Sequence, residues 1–223
     1  MTVQRTLSTL EAYARWAPNY PPLPHNPLMR AEQRAMQEYW PEAAGRRALD
    51  LACGTGRYAR LLAASKAEVF AVDFCQQMLR QVSVGARVRA SMMSLPFASH
   101  TFDVVVCGLG VGHATAIDAW MAEISRVLAP GGVLLYSDFH PAAVRAGQTR
   151  SFRDRRGRAF TVPHRCHDIA GQRAAAEAAS LTIEVVREIR AGLDLKESFS
   201  GSDEFYRRYY GLPVVLVVRA RKR

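Results

Sequence analysis

Acids, glycines and histidines stand in this chain at spacings that suit ligand capture. Asp50 lies near the end of the apolar run Ala48-Leu49-Asp50-Leu51, and a turn bearing Gly54 and Gly56 follows before a helix-compatible segment. Glycine lets the backbone approach a ligand with no Cβ in the way. The free N–H groups at the start of the next helix suit a polar ligand. A second apolar run, 68–73, again ends on a carboxylate, Asp73, 17 residues past Gly56. The pattern calls for a nucleotide-like cofactor, and two are in contention. Gly54-x-Gly56-x-x-Ala59 with Asp73 fits the dinucleotide fingerprint in its Gly/Ala form, which would make the protein a dinucleotide-binding reductase. Asp50 argues for the other, because a carboxylate ahead of the loop repels a pyrophosphate and attracts an ammonium. An adenosine joined to an amino acid answers both acids: S-adenosyl-L-methionine (SAM).

Histidines are the candidate proton acceptors. His113 follows the apolar run 102–107 and His140 follows 133–138, so both fall at the ligand edge of a sheet. Imidazole titrates near neutrality, so either can serve as a base or stand as an ordinary hydrogen-bonded loop histidine. His25, His164 and His167 stand behind them. The spacing of His164, Cys166 and His167 fits no usual ligand set, and no metal is expected.

These residues need a scaffold. Glu68–Asp73, the short run 87–90, 102–107, 133–138 and 182–189 alternate with helix-compatible segments, and 214–218 is a final buried strand. Asn26-Pro27 caps a helix carrying Leu28, Ala31, Ala35, Met36 and Tyr39 on one face. Gln76 to Val84 reads as a helix closed by Gly85. Ile117, Trp120, Met121, Ile124, Val127 and Leu128 recur at helical spacing. Asp168 caps a helix through Ala179, and Ser202 caps a short one ending before Gly211. The pattern predicts a doubly wound, Rossmann-like α/β sheet with its ligand outside the strands' carboxyl ends. Two segments lie outside the alternation. Residues 1–45 hold Tyr13, Trp16 and Tyr20 ahead of Pro21-Pro22-Leu23-Pro24, and read as a helical lid or as a packing strap on the sheet edge. Residues 141–165 are an insertion, a short hairpin or loop crowding Arg150, Arg153, Arg155, Arg156 and Arg158 around Asp154. The main domain then covers 46–223.

Charge and cysteines narrow the class. The 223 residues carry a net charge of +10. Residues 1–140 hold 13 Lys/Arg against 11 Asp/Glu, whereas 141–223 hold 17 against 9. Such a surface can attract nucleic acid, an anionic small substrate or an acidic carrier protein, or be a solvated Arg-rich face. The four cysteines form no C-x-x-C pair, which reads as reduced thiols in the cytoplasm. No run approaches the ~18 apolar residues of a membrane span, and Met1 to Leu10 is too polar for a signal peptide.

The ordered motifs resemble those of class I SAM-dependent methyltransferases, whose first motif reads Asp/Glu-x-Gly-x-Gly-x-Gly. Here Asp50-x-Ala52-x-Gly54-x-Gly56 puts Ala at the first glycine, which tightens the loop. Leu95-Pro96-Phe97 ahead of Phe102-Asp103, and Arg126-Val127-Leu128 with Pro130-Gly131-Gly132, are similar to the blocks of the type 11 group. That group includes quinone-biosynthesis C-methyltransferases and the malonyl-carrier-protein O-methyltransferases of biotin synthesis. The resemblance covers roughly residues 13–138. It implies seven strands with the last antiparallel, SAM as cofactor and S-adenosyl-L-homocysteine as product. Asp50 and the Gly54/Gly56 loop would hold the methionyl part, and Asp73 both ribose hydroxyls. Phe74 and Met78 would pack on the adenine, Ser91 and Met92 would meet its N6, and the Cys107 carbonyl region would face the methionyl amine. No Asn/Asp-Pro-Pro-aromatic motif follows Cys107, which favours a small-molecule acceptor, O- or N-methylated, over nucleic acid. The acceptor pocket is expected between the Tyr13–Leu28 segment and the insertion. Tyr20 and His25 would give hydrogen bonds, Trp16 and Phe152 apolar walls, and Arg150 or Arg153 a partner for an anion, with Tyr13 also among the acceptor-binding residues. A carrier-bound or nucleic-acid substrate is the alternative, as is a non-catalytic SAM-binding protein.

Overall fold

The computed structural model describes residues 5–199 and 203–223. In chain order it builds β1 (Arg5–Thr6), α1 (Thr9–Trp16), α2 (Pro27–Glu38), β2 (Arg47–Leu51), α3 (Arg57–Ala64), β3 (Glu68–Asp73), α4 (Gln76–Leu79), β4 (Ala86–Arg89) and β5 (Phe102–Gly108). It continues with α5 (Ile117–Val127), β6 (Leu128–Phe139), α6 (Pro141–Arg145), β7 (Arg150–Arg153), β8 (Ala159–Val162), α7 (Ile169–Ala178), β9 (Leu181–Arg190), α8 (Asp203–Tyr209) and β10 (Pro213–Lys222). Seven strands form one sheet in the order β4-β3-β2-β5-β6-β10-β9. The β4-β3-β2-β5-β6 ladders are parallel, and β10 runs antiparallel to both β6 and β9.

Period-two side-chain alternation splits the central strands between two apolar layers. Val104 and Val106 of β5 pack with Met36, Tyr58 and Leu62 on one face, under α2 and α3. Val105 and Cys107 pack with Trp120, Met121 and Ile124 of α5 on the other. The Asn26 side chain accepts from Met29 N and caps α2, and Asp168 accepts from Gly171 N and caps α7. The Ser202 cap expected for α8 lies outside the described residues.

Three features correct or refine the pattern. Helical hydrogen bonding stops at Leu79 rather than Val84: Gln81 N and Val82 N bond three residues back, to Met78 and Leu79. That tightening turns Val82 beneath Gly56, 3.0 Å from where a Cβ there would sit. Residues 9–16 form a helix with a complete capping box, Ser8 with Glu11, which the Ser-x-x-Glu spacing encodes. The insertion does contain a hairpin, β7–β8, but β1 joins it in parallel and makes a second, three-stranded sheet. This small sheet and α1 share a cluster of Ala12, Phe152, Phe160 and Val162. The N-terminal segment is thereby joined to the insertion.

Candidate functional site

The chain crosses from β2 into α3 through a strained loop. Ala52 has φ +52°, the left-handed region in which a Cβ costs ~1–2 kcal/mol, and Gly54 follows at +56°. A Cβ on Gly54 would meet nothing within 4 Å, so the space above this loop is open to a ligand. Asp50 is 1% exposed, and its Oδ2 accepts from Ala59 N at 2.7 Å in the first turn of α3. Burial pushes its carboxyl up to about 7, against the pull of the Ala59 N–H. Asp73 ends β3 and accepts from Gly54 N at 2.8 Å through Oδ2 and from Cys75 N at 2.7 Å through Oδ1. Burial raises it to about 6. Each of its oxygens is therefore held by a backbone amide, with lone-pair capacity left for a vicinal diol.

These groups line an open-mouthed cavity of about 200 Å³ at the carboxyl ends of β2, β3 and β5. Seven of the residues expected to hold the cofactor line it: Asp50, Ala52, Gly54, Asp73, Phe74, Met78 and Met92. Phe74 is 53% exposed and Met78 is buried, and both give the cavity apolar lining. Three others do not line it. Gly56 is the left-handed N-cap of α3, set over Val82. Ser91 turns its hydroxyl to accept from Met93 N, closing a local turn, while Ala90 and Met92 face the cavity instead. Cys107 is fully buried in the α5 layer, and the wall is made by Gly108, Leu109 and Gly110.

The sequence reading missed the buried support beneath this floor. Glu32 of α2 is fully buried and accepts from Arg57 Nη1 at 2.6 Å, Tyr58 Oη at 2.7 Å and Ser137 Oγ at 2.5 Å. It ties α2, α3 and β6 together, and Arg57 and Tyr58 themselves line the cavity. A lone Glu on an apolar helix face is the only signal it leaves in the sequence.

The roof comes from distant segments. Tyr13 of α1 bonds His113 Nε2 at 2.8 Å, and Arg150 Nη1 donates to the same phenolic oxygen at 3.0 Å. Arg150 can only donate to Tyr13, which leaves the phenol's own proton free to serve His113 when Nε2 is the unprotonated ring nitrogen. Arg150 Nη2 donates to Leu109 O at 2.6 Å and lies 4.0 Å from Asp138. Burial, then Arg150 and His164, hold His113 well below the usual imidazole range. Burial pushes Tyr13 up to about 12, partly offset by Arg150. Thr55 and Arg60 bond the Pro21 and Pro22 carbonyls, and Gln81 bonds Ala17 O, so residues 17–22 are tethered to the motif loop and α4.

Tyr13, Tyr20, His113 and Arg150 thus line the main cavity, and Trp16, Tyr20, His25 and Arg150 line a second one beside it. His140 is elsewhere. Its Nδ1 accepts from Ala142 N as the N-cap of α6 and its Nε2 lies 3.2 Å from Glu188, so its chemistry is used in holding a helix. Phe152 lines neither cavity but stacks on Trp16 at 4.7 Å and braces it. Arg153 is exposed and bonds Gly157 O within its hairpin. His164, ranked behind both histidines above, is buried against Asp138 at 3.0 Å. Among the described residues no cluster suits a metal ion, and no helix is long and apolar enough to cross a membrane.

Fold and strand-end cavity together define the class: this is the Rossmann-like methyltransferase fold. A SAM-dependent methyltransferase from Mesorhizobium loti superposes with a TM-score of 0.68 at 22% identity, covering 86% of this chain and 98% of that one. Residues 49–136 match the family model described as a methyltransferase domain. The chain is 35% identical over 130 residues to a malonyl-[acyl-carrier protein] O-methyltransferase of Enterobacter lignolyticus, covering 56% of this chain and 51% of that protein. It is 39% identical over 106 residues to a demethylmenaquinone methyltransferase of Clavibacter sepedonicus, covering 43% and 42%. The matched stretch thus spans about half the length of these curated relatives.

Proposed function

We propose that this protein transfers a methyl group from SAM to a small-molecule acceptor, at oxygen in preference to nitrogen. One observation carries the reading: the glycine loop with Asp50 and Asp73 shares a single cavity with the Tyr13–His113–Arg150 chain. SAM, when bound, supplies an electrophilic methyl on a sulfonium. Asp73 would hold the ribose hydroxyls, Asp50 and the wall at Gly108 the methionyl end, and Phe74 and Met78 the adenine. Tyr13 would take the acceptor's proton as its own passes to His113 Nε2. His113 is a weak base in this setting, so the relay suits an acidic hydroxyl better than an amine. Much of the acceleration would come from alignment, up to ~7–11 kcal/mol in ideal cases. The relatives' names differ in acceptor, and an acidic carrier-bound acceptor is the second reading, supported by the charge of 141–223. Four free cysteines fit a reducing cytoplasm.

Calorimetry with SAM, S-adenosylhomocysteine and NADPH tests the cofactor. Micromolar NADPH binding with none for SAM would overturn the proposal in favour of a reductase. Release of S-adenosylhomocysteine with an acceptor separates an enzyme from a SAM-binding protein. With an acceptor that turns over, Tyr13→Phe should lower kcat by ~10²–10⁴-fold, and an unchanged kcat would remove the relay.

A further inference from the structure

The second cavity adjoins the first and shares Tyr20, Leu109 and Arg150 with it. One side is aromatic. Trp16, Tyr20 and His25 meet edge to face at 4.7–6.3 Å, and Phe152 backs Trp16. Phe139 also lines this cavity, with the Arg150 guanidinium 4.9 Å from its ring centre. Such walls accept a flat ring.

Two of the residues that line this chamber each hold a buried polar atom with no hydrogen-bond partner among the described residues. One is Oε1 of Gln148, a residue 9% exposed, and the other is Nε of Arg150, whose side chain is 10% exposed. The other nitrogens of Arg150 are committed, Nη1 to Tyr13 and Nη2 to Leu109. Gln148 and Arg150 are two residues apart leading into β7, and both line the chamber. Leaving buried polar groups unpaired is costly, so a chamber lined by two residues that carry them is a candidate place for a ligand that satisfies both. Nε–H can only donate, and an amide oxygen can only accept. A ligand that answers both offers an acceptor and a donor side by side. A phosphate would set lone pairs against Gln148, and a lone ammonium would be repelled by Arg150.

We infer that this chamber binds a compact aromatic ligand carrying a hydroxyl beside a carbonyl or carboxylate oxygen, with the oxygen on Arg150 and the hydroxyl on Gln148. Calling that ligand the methyl acceptor rests on the methyltransferase reading; its recognition does not. Gln148 is then a specificity-determining residue, reading the donor that Arg150 cannot.

The test is calorimetry on the whole chain, with and without saturating S-adenosylhomocysteine. The probes are salicylate, 2-hydroxyacetophenone, benzoate and 2-methoxybenzoate. Salicylate should bind about tenfold or more tightly than benzoate and 2-methoxybenzoate, because only it brings the donor, and 2-hydroxyacetophenone should compete with it. Gln148→Leu should erase that preference while leaving benzoate affinity and the melting temperature within error. Should Gln148→Leu fail to fold, Gln148→Glu still accepts the hydroxyl and should keep the preference for 2-hydroxyacetophenone over acetophenone. Equal affinities for salicylate and benzoate, no binding of any probe, or an unchanged preference in Gln148→Leu would overturn the inference. Selectivity without S-adenosylhomocysteine binding would sink the methyltransferase reading and leave the chamber. S-adenosylhomocysteine binding without selectivity would do the reverse.

Discussion

The floor and the roof of the main cavity are built on opposite principles. On the floor, Asp50 and Asp73 sit at strand ends and are fixed by backbone amides of Ala59, Gly54 and Cys75. On the roof, Tyr13, His113 and Arg150 come from three distant segments and fix one another through side chains. A backbone-fixed floor presents the same geometry whatever sits above it, which suits a constant cofactor. A roof held by side chains on inserted segments can change composition without disturbing the sheet, which suits a variable acceptor.

The largest expected effect tests whether the floor depends on its buried support. Glu32→Ala leaves Arg57 buried without its partner and strips Tyr58 and Ser137 of theirs, so it should cost ~3–5 kcal/mol of stability. Thermal unfolding checks this, and a shift under a few degrees would mean that water replaces the carboxylate. Asp73→Ala should weaken SAM binding by ~2–4 kcal/mol in calorimetry, since it removes a charged ribose partner and the clamp on Gly54. Unchanged affinity would make Asp73 purely structural.

A pH series sharpens the comparison. Asp50 lies at about 7 in the folded chain against its ordinary 3.8. The folded state therefore binds the proton more tightly than the unfolded state does. The stability Asp50 contributes is fully present below its ordinary value and is lost as pH rises through about 7. The melting temperature of the wild type minus that of Asp50→Asn should fall by several degrees between pH 4 and 7.5, and a flat difference would show a carboxylate already ionised in the fold. SAM should oppose the fall, by bringing an ammonium to Asp50. The smallest effect concerns a residue outside both cavities. His140→Ala should cost ~1 kcal/mol of stability through the lost cap of α6, with kcat unchanged; a loss of turnover would return His140 to the chemistry.

How far the site could be read in advance follows the same division. Asp50, Gly54, Asp73, Phe74, Met78 and Met92 could be placed at the cavity from the sequence because each lies at or just past a strand end, a local spacing that strand–loop–helix units repeat. The side chains of Ser91 and Cys107 lie off the cavity wall for an equally local reason: a backbone turn and the strand's alternation decide which way they face, and each neighbours a residue that does line the wall. His113 and His140 look alike in sequence, both just past a strand. The structure separates them, because α1 and β7 bring Tyr13 and Arg150 to His113, while β9 brings Glu188 to His140.

Apolar periodicity, capping residues and the glycine turn determined the seven strands, their helices and the cofactor end of the sheet. Each depends on contacts within a few residues or on a two-sided burial pattern that alternation records. Only the tertiary structure decided the Glu32 network, the β1–β8–β7 sheet and the pairing of Gln148 with Arg150 at the second chamber. Those depend on segments distant in the chain meeting in space, Glu32 with Ser137, β1 with β8, and Trp16 and Tyr20 with the stretch that holds Gln148 and Arg150, for which one sequence carries no period or spacing.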